Sequence, residues 1–244
     1  MIGAGAANVA ILRLILAAGA DTARTLMVDT SGILGPDRTD FAAEDPRARL
    51  CRVTNAERRR GGVAEALSGV DVAIALSKPG PDTLAPEWLK GMNDHAILFA
   101  CANPISEIWP WEAKEAGVRV VATGRCDFAN QVNNSLGFPG IFRGVLDVRA
   151  RTISNEMAIA AASEIARCAE EKELHEEYIV PTMDEWDVFP REAVATAMKA
   201  QDQGLARVQK SPEALHEEAR ATIQAAHKMM KTMMNSGPFA PMPE

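Results

Sequence analysis

Short apolar runs alternate with helix-like stretches over the first 150 residues, and this alternation constrains the fold more than any other feature. The strand candidates are Thr25–Asp29, Asp71–Ser77, Ala96–Asn103 and Val118–Gly124. The helix candidates are Ala7–Ala18, Gly62–Ser68, Pro86–Lys90 and Ile108–Ala116. Because strands that are apolar throughout are buried on both faces, this order predicts a doubly wound parallel sheet with helices on each side. We assign residues 1–150 to this α/β core and expect residues 30–61 to be irregular.

The pattern becomes mainly helical after residue 150. The helix candidates in this part are Ile153–Lys172, Pro190–Gln209 and Pro212–Asn235. In the last of them, apolar residues from Leu215 to Met233 recur every three or four positions and give the helix one apolar face. We therefore predict a C-terminal helical extension over residues 151–244, packed on the same domain and ending in a flexible tail after Gly237.

Charge and cysteine content narrow the classes of partner. The net charge is −7 and the pI is near 5.3, which argues against nucleic-acid binding because that function needs a basic face. The same charge gives no reason to expect an anionic membrane as a partner. The longest apolar run, residues 9–20, is interrupted by Arg13 and is too short to cross a membrane. The four cysteines form no CxxC pair, which predicts reduced thiols and a cytoplasmic protein.

The chain opens with a glycine-rich loop, Gly3-Ala4-Gly5-Ala6-Ala7-Asn8, directly before a helical run. Two glycines at this spacing permit a tight turn and a close approach to a pyrophosphate, whose charge the helix N-terminus favours. Asn8 stands where the usual fingerprint has its third glycine, which weakens the match and predicts looser helix–sheet packing. Only Met1 and Ile2 precede the loop, so we expect the strand that feeds it to be nearly absent.

Asp29 strengthens the interpretation of this loop as a dinucleotide site. It ends a strand candidate 21 residues after Asn8, close to the spacing expected of a carboxylate that binds a cofactor ribose. A carboxylate at this position repels the 2′-phosphate of NADP and so favours NAD. Arg38 or the run Arg58–Arg60 would attract that phosphate, although such arginines more often form a solvated face. The choice between NAD and NADP therefore stays open.

Small or hydrogen-bonding residues end the other strand candidates, and a cluster of carboxamides follows the last one. Ser77, Asn103 and Gly124 occupy these ends, where open parallel sheets bind their ligands, although each residue is also a common turn former. The carboxamides are Asn130, Gln131, Asn133 and Asn134. Neutral amides donate hydrogen bonds to carboxylate and carbonyl oxygens, which suits a small oxygen-rich acid beside a nicotinamide. Capping of a helix is the alternative role for them.

Four sequence blocks together resemble the malic enzyme family of bacterial and archaeal type. They are GAGAA near the start, VD–GI–G–R over residues 28–38, ANP–EI–P over residues 102–110 and GR–DF–NQVNN–FPGIFRG–LDVRA over residues 124–150. The resemblance covers roughly residues 2–208. It implies a Rossmann-type domain that binds NAD or NADP, within an enzyme that oxidises L-malate and releases pyruvate and CO₂. The resemblance also implies a need for Mg²⁺ or Mn²⁺ and a homodimer when full length.

The resemblance also assigns roles to individual residues. It matches the glycine loop to pyrophosphate, Asp29 to ribose, and three asparagines to malate and the nicotinamide end of the cofactor. With Arg38 and Ser77 added, the candidate cofactor-binding residues are Gly3, Gly5, Ala6, Ala7, Asp29, Arg38, Ser77 and Asn103. The candidate substrate-binding residues are Asn103, Asn133 and Asn134.

The family's tyrosine acid, lysine base and metal-binding carboxylates all lie upstream of its glycine loop. We therefore expect no catalytic residue and no metal ligand in this chain, and interpret Asp127 as a turn or ion-pair carboxylate. One alternative is a non-catalytic NAD(P)-binding module that needs a separate N-terminal chain. A second is an inactive fragment of a longer protein. A third is another dehydrogenase, such as an amino-acid dehydrogenase, which would lack the NQVNN–FPGIFRG block.

Overall fold

The computed structural model describes residues 1–237, so the predicted flexible tail lies outside the described residues. The chain folds into two compact units. Among the described residues, the first unit contains residues 1–133 and 169–182, and the second contains residues 134–168 and 183–237. The predicted domain boundary at residue 150 stays a prediction.

A parallel sheet forms the centre of the first unit. The strands are β1 (Val28–Asp29), β2 (Gly32–Ile33), β3 (Val72–Ala75), β4 (Ile97–Ala100) and β5 (Val120–Thr123). β3, β4 and β5 are parallel neighbours in that order, with Val72 opposite Ile97 and Ile97 opposite Val120. β1 and β2 form a short antiparallel pair. The parallel sheet confirms the interpretation of the apolar runs as buried strands.

Ile2 joins β1 to β3. It forms parallel bridges with Val28 on one side and Ala75 on the other. Its N–H donates to the Ile74 carbonyl at 2.7 Å, and its own carbonyl accepts from the Leu76 N–H at 3.0 Å. Ile2 therefore occupies a strand position between β1 and β3, directly before the glycine loop.

Five helices belong to the first unit. They are α1 (Ala6–Ala17), α2 (Pro46–Val53), α3 (Val63–Leu67), α4 (Pro86–Leu89) and α5 (Pro110–Glu115). The prediction that residues 30–61 are irregular is wrong, because α2 lies within them. Asp45 caps α2 by accepting the Arg47 N–H at 2.8 Å, and Pro46 takes the first helical position, where its missing N–H costs nothing.

The second unit is helical. Its helices are α6 (Phe138–Asp147), α7 (Asn155–Glu170, whose last two residues belong to the first unit), α8 (Val188–Asp202) and α9 (Pro212–Asn235). The predicted helical extension is confirmed for the described residues. The predicted end of the second helix at residue 209 is wrong, because α8 ends before Gly204, which has a φ of +66°.

α6 and α8 pack closely through glycines. A Cβ on Gly144 would lie 2.4 Å from the Ala193 carbonyl oxygen, so only glycine fits there. The Glu192 side chain fills the corresponding space beside Gly140 and is fully buried. Neither carboxyl oxygen of Glu192 has a hydrogen-bond partner of good geometry among the described residues. Burial raises the pKa of Glu192 to about 8, and the nearby Gly140 amide only partly opposes this shift.

Glu192 is expected to make folding depend on pH. Its pKa is about 8 in the folded protein and near the ordinary value of 4.5 when unfolded, so the folded state holds the proton more tightly. The free energy of unfolding should therefore fall as pH rises from about 4.5 to about 8. We expect Glu192→Gln, which stays neutral, to remove this part of the pH dependence in urea unfolding.

The matched control is Glu217→Gln, which neutralises an exposed carboxylate of α9. It should leave the slope of unfolding free energy against pH close to that of the parent between about pH 5 and about pH 8. Equal slopes for the parent and Glu192→Gln would contradict the assignment of this pH dependence to Glu192.

Candidate cofactor and substrate site

The glycine loop lies at the carboxyl edge of the sheet in the first unit. Gly3 has a φ of +93°, and a Cβ there would lie 2.6 Å from the Leu76 carbonyl oxygen. Gly5 is the N-cap of α1, and nothing lies within 4 Å of the position that its Cβ would occupy. Ala6 and Ala7 are exposed at the start of α1, where backbone N–H groups have no acceptor within the helix. The loop is thus closed towards the sheet and open towards solvent.

Asn8 ties the loop to α1. Its side-chain amide is buried and donates to the carbonyl oxygens of Ile2 at 2.7 Å and Gly3 at 2.9 Å. These hydrogen bonds hold the loop where the usual fingerprint relies on glycine, and the looser helix–sheet packing expected at this position stays a prediction.

Asp29 is the last residue of β1, which neighbours the glycine loop, and its carboxylate is paired with Arg38. The Gly3 N–H donates to the Val28 carbonyl at 2.9 Å, so the loop and the end of β1 are adjacent. Arg38 forms a bidentate pair with Asp29, at 3.1 Å from Nη1 and 2.8 Å from Nη2. Burial disfavours the charged form of Asp29, but hydrogen bonds from Arg38 and Ser31 outweigh burial and lower the pKa of this carboxyl.

Arg38 is therefore an ion-pair partner inside the candidate site, with only 16% of its side chain exposed. The usual interpretation of such an arginine as a solvated surface residue is wrong here. The guanidinium also pairs with Asp40 at 2.6 Å and lowers the pKa of Asp40 to about 2. Binding of Arg38 to a cofactor stays a prediction.

Glu107 links the ends of β3 and β4. One of its carboxylate oxygens accepts the N–H of Ser77 at 2.8 Å and its hydroxyl at 3.2 Å, and the other accepts the Ala102 N–H at 3.0 Å. Glu107 is fully buried. Glu107 is not among the residues predicted from the sequence, although a single carboxylate in the apolar segment between Ile105 and Pro110 is a signal for it.

Asn103 follows β4 and extends towards the end of β5. A Cβ on Gly124 would lie 3.2 Å from the Asn103 side-chain oxygen, so the small residue that ends β5 makes room for this amide. Asn103 is exposed. The structure thus brings Gly3, Asp29 and Ser77 to the same carboxyl edge as Asn103.

The carboxamides after β5 have different roles. Asn130 is buried, donates to the carbonyls of Val121 and Glu176, and accepts the Ile179 N–H at 2.9 Å. The interpretation of Asn130 as part of a ligand-binding array is wrong, because these bonds commit its amide to the fold. Gln131 forms a parallel bridge with Thr123.

Asn133 and Asn134 fall on either side of the division between the units. Asn133 is half-buried and is the last residue of the first unit before its return at residue 169. Asn134 is exposed and begins a 3₁₀ turn, Asn134–Leu136, in the second unit. Their predicted contacts with substrate stay predictions.

Acidic, histidine and cysteine side chains form no metal centre within residues 1–237. In this range, no three or more of them are arranged to hold a metal ion. Asp127 pairs with Arg125 at 2.7 Å, which confirms the ion-pair interpretation of this carboxylate. None of the helices in the described part of the chain has the length and apolar character needed to cross a membrane.

Comparison with known proteins places the chain in one family. The family model described as malic enzyme, NAD binding domain, matches residues 1–201. The chain is 41% identical over 218 residues to the bifunctional malic/malolactic enzyme of Bacillus subtilis, covering 89% of this chain and 52% of that protein. It is 42% identical over 213 residues to the NAD-dependent malic enzyme of Geobacillus stearothermophilus, covering 87% of this chain and 43% of that protein.

Solved structures give the same result. The Entamoeba histolytica malic enzyme matches with a TM-score of 0.95 at 44% identity, over 99% of this chain and 50% of that one. The Pyrococcus horikoshii malic enzyme matches with a TM-score of 0.89 at 42% identity, over 97% of this chain and 55% of that one. The chain thus spans about half the length of each of these four proteins.

Replacing Gly3 by alanine should destabilise the fold more than replacing another glycine of similar φ. Gly19 has a φ of +104° but nothing within 4 Å of its Cβ position, so it is a matched control. We expect Gly19→Ala to lower the free energy of unfolding by about 1 kcal/mol through backbone strain alone. Gly3→Ala should lose at least about 2 kcal/mol more, because its Cβ clashes with Leu76. Equal losses in urea unfolding would contradict the clash.

Glu107→Gln should disturb the strand ends. An amide nitrogen cannot accept a hydrogen bond, so the Ser77 or Ala102 N–H loses its partner, at a cost of about 1–3 kcal/mol in unfolding free energy. We expect faster hydrogen exchange at one of these amides, measured by NMR. Exposed Glu87, in α4, supplies the control Glu87→Gln, with an expected change within about 0.5 kcal/mol. Unchanged exchange at both amides would contradict the role of Glu107.

Proposed function

The chain belongs to the malic enzyme family, and we propose that it is the part of such an enzyme that binds NAD⁺ or NADP⁺. The full enzyme would oxidise L-malate and decarboxylate the product to pyruvate and CO₂. The observation that carries this proposal is the unobstructed N-terminus of α1, where no atom lies within 4 Å of the Cβ position of the N-cap Gly5. Relatives named as NAD-dependent and as NADP-dependent enzymes support either cofactor.

The glycine loop fits the pyrophosphate of a dinucleotide. The open space at Gly5 lets phosphate oxygens reach the backbone amides of Ala6 and Ala7, which point out of the helix start. The α1 dipole stabilises the negative charge there. Asn8 holds the loop in this shape through its two hydrogen bonds. In this proposal, Asp29 accepts a hydrogen bond from the adenosine ribose.

The amide chemistry of three asparagines suits the reacting groups of the substrate and cofactor. We assign the amides of Asn103, Asn133 and Asn134 to the malate carboxylates and the nicotinamide carboxamide, because an amide both donates and accepts hydrogen bonds. Glu107 accepts hydrogen bonds from Ser77 and from Ala102, the residue before Asn103, and we assign Ser77 to the nicotinamide end of the cofactor. NAD(P)⁺, when bound, supplies the acceptor for the hydride that leaves malate C2.

The acid, the base and the metal ligands of the reaction are proposed to lie outside this chain. No three acidic, histidine or cysteine side chains of residues 1–237 are grouped to hold Mg²⁺ or Mn²⁺, and we propose that the metal ligands lie in another part of the full enzyme. Because the chain spans about half of its relatives, we propose that it binds cofactor but does not turn over malate by itself. A separate N-terminal chain that completes the enzyme is the alternative arrangement. We further propose that the full-length enzyme is a cytoplasmic homodimer. The net charge of −7 on this chain disfavours nucleic acid as a partner.

The cofactor site can be tested with Gly5→Val. The backbone at Gly5 is extended, with φ −76° and ψ 172°, so valine fits there without strain and its side chain occupies the proposed pyrophosphate position. Calorimetric titration with NAD⁺ and NADP⁺ should show binding to the parent chain and an affinity at least about tenfold lower for the variant.

The control is Ala17→Val, which places a valine at the exposed far end of α1. We expect it to bind the preferred cofactor as the parent does. Absence of binding by a folded parent chain, or equal affinities for the parent and Gly5→Val, would refute the proposed site.

A further inference from the structure

We propose that Asp40 makes the cofactor site selective for NAD⁺, by holding the Arg38 guanidinium so that it cannot bind the 2′-phosphate of NADP⁺. This inference rests on the proposed function and adds the identity of the cofactor. Asp40 is thus a specificity-determining residue that acts through Arg38.

Every N–H donor of Arg38 is already engaged. Its Nε donates to Asp40 at 2.7 Å, and one terminal nitrogen donates to Asp29 at 3.1 Å and to the Gly32 carbonyl at 3.4 Å. The other terminal nitrogen donates to Asp29 at 2.8 Å and to Asp40 at 2.6 Å. A guanidinium has five N–H groups, and these bonds use all of them. To bind Arg38, a phosphate would have to displace a carboxylate of Asp29 or Asp40, or the Gly32 carbonyl.

The guanidinium is also fixed in place by an aromatic ring. Arg38 lies over the Phe41 ring, 4.9 Å from its centroid. The next cation along the chain, Arg47, lies over the same ring at 4.5 Å and is paired with Asp45 at 2.6 Å. Neither arginine is therefore free to turn towards an incoming phosphate without breaking an ion pair.

The charge of this cluster favours a hydroxyl over a phosphate. Asp29 and Asp40 are both ionised at neutral pH, since their pKa values are lowered, and Arg38 balances only one of the two negative charges. Asp29 accepts three hydrogen bonds, from Ser31 and twice from Arg38. A carboxylate has about four acceptor positions, which leaves one for a ribose 2′-hydroxyl. A 2′-phosphate offers no donor to this position and meets a net negative charge.

The test is titration of the full chain with NAD⁺ and with NADP⁺, separately, for the parent and Asp40→Ala. We expect the parent to bind NAD⁺ at least about tenfold more tightly than NADP⁺. Asp40→Ala frees two donors of Arg38 and should narrow this ratio about tenfold, through tighter NADP⁺ binding. Circular dichroism checks the fold, and Asp40→Ser replaces Asp40→Ala if the alanine variant does not fold.

Two further variants separate release of Arg38 from loss of one negative charge. The double variant Arg38→Gln with Asp40→Ala lacks the freed guanidinium and should not gain affinity for NADP⁺. Glu57→Ala removes a carboxylate that pairs with an arginine two residues away, Arg59, as Asp40 does with Arg38. It should leave the ratio of the two affinities unchanged.

The outcomes distinguish the inference from the proposed function. Binding of NAD⁺ with no gain in NADP⁺ affinity for Asp40→Ala overturns the role of Asp40 and leaves the cofactor site in place. A parent chain that prefers NADP⁺ also overturns the role of Asp40 and leaves the cofactor site in place. So does a gain in NADP⁺ affinity that persists in the double variant. Absence of binding of either cofactor to the folded parent chain refutes the proposed function, and the inference with it.

Discussion

Main-chain hydrogen bonds around Ile2 hold the candidate site together. Ile2 bonds to Ile74 and Leu76 on one side, while Met1 and Gly3 bond to Val28 on the other. These bonds place the glycine loop between the ends of β1 and β3, so Asp29 and Ser77 lie on either side of it. A short parallel bridge would be weak alone, and the buried Asn8 amide reinforces it by donating directly to the Ile2 and Gly3 carbonyls.

Three carboxylates with reduced exposure show how hydrogen-bond partners determine what an acidic group does in this fold. Glu107 is surrounded by N–H and O–H donors and joins two strand ends. Asp29 is paired with a guanidinium, stays ionised and keeps acceptor capacity for a ligand. Glu192 lacks good partners among the described residues, so burial raises its pKa to about 8 and makes it neutral in much of the physiological range. The available donors therefore decide whether a buried carboxylate joins strand ends, as Glu107 does, or has a raised pKa, as Glu192 does.

The sequence predicted the main elements because apolar periodicity reflects burial on each helix and strand. It missed α2, whose signal is a local cap at Asp45 and Pro46 within a charged segment. It also assigned Asn130 to a ligand, whereas the Asn130 amide bonds to Glu176 and Ile179, which are 46 and 49 residues away. The role of Glu107 likewise depends on Ser77, 30 residues earlier. Periodicity carries no information on such partners, because they meet only when the strands are assembled.

Arg38 shows the same limit for charged residues. From the sequence, Arg38 can be interpreted as a surface charge or as a phosphate ligand. Both interpretations assume that its guanidinium has no partner within the fold. In the folded chain, its bonds to Asp29, Asp40 and the Gly32 carbonyl engage all five N–H groups. An arginine with no free donor attracts an anion only through its charge, and here two carboxylates outweigh that charge. An arginine in the sequence is therefore not by itself evidence for a phosphate ligand, because the fold can engage all of its donors.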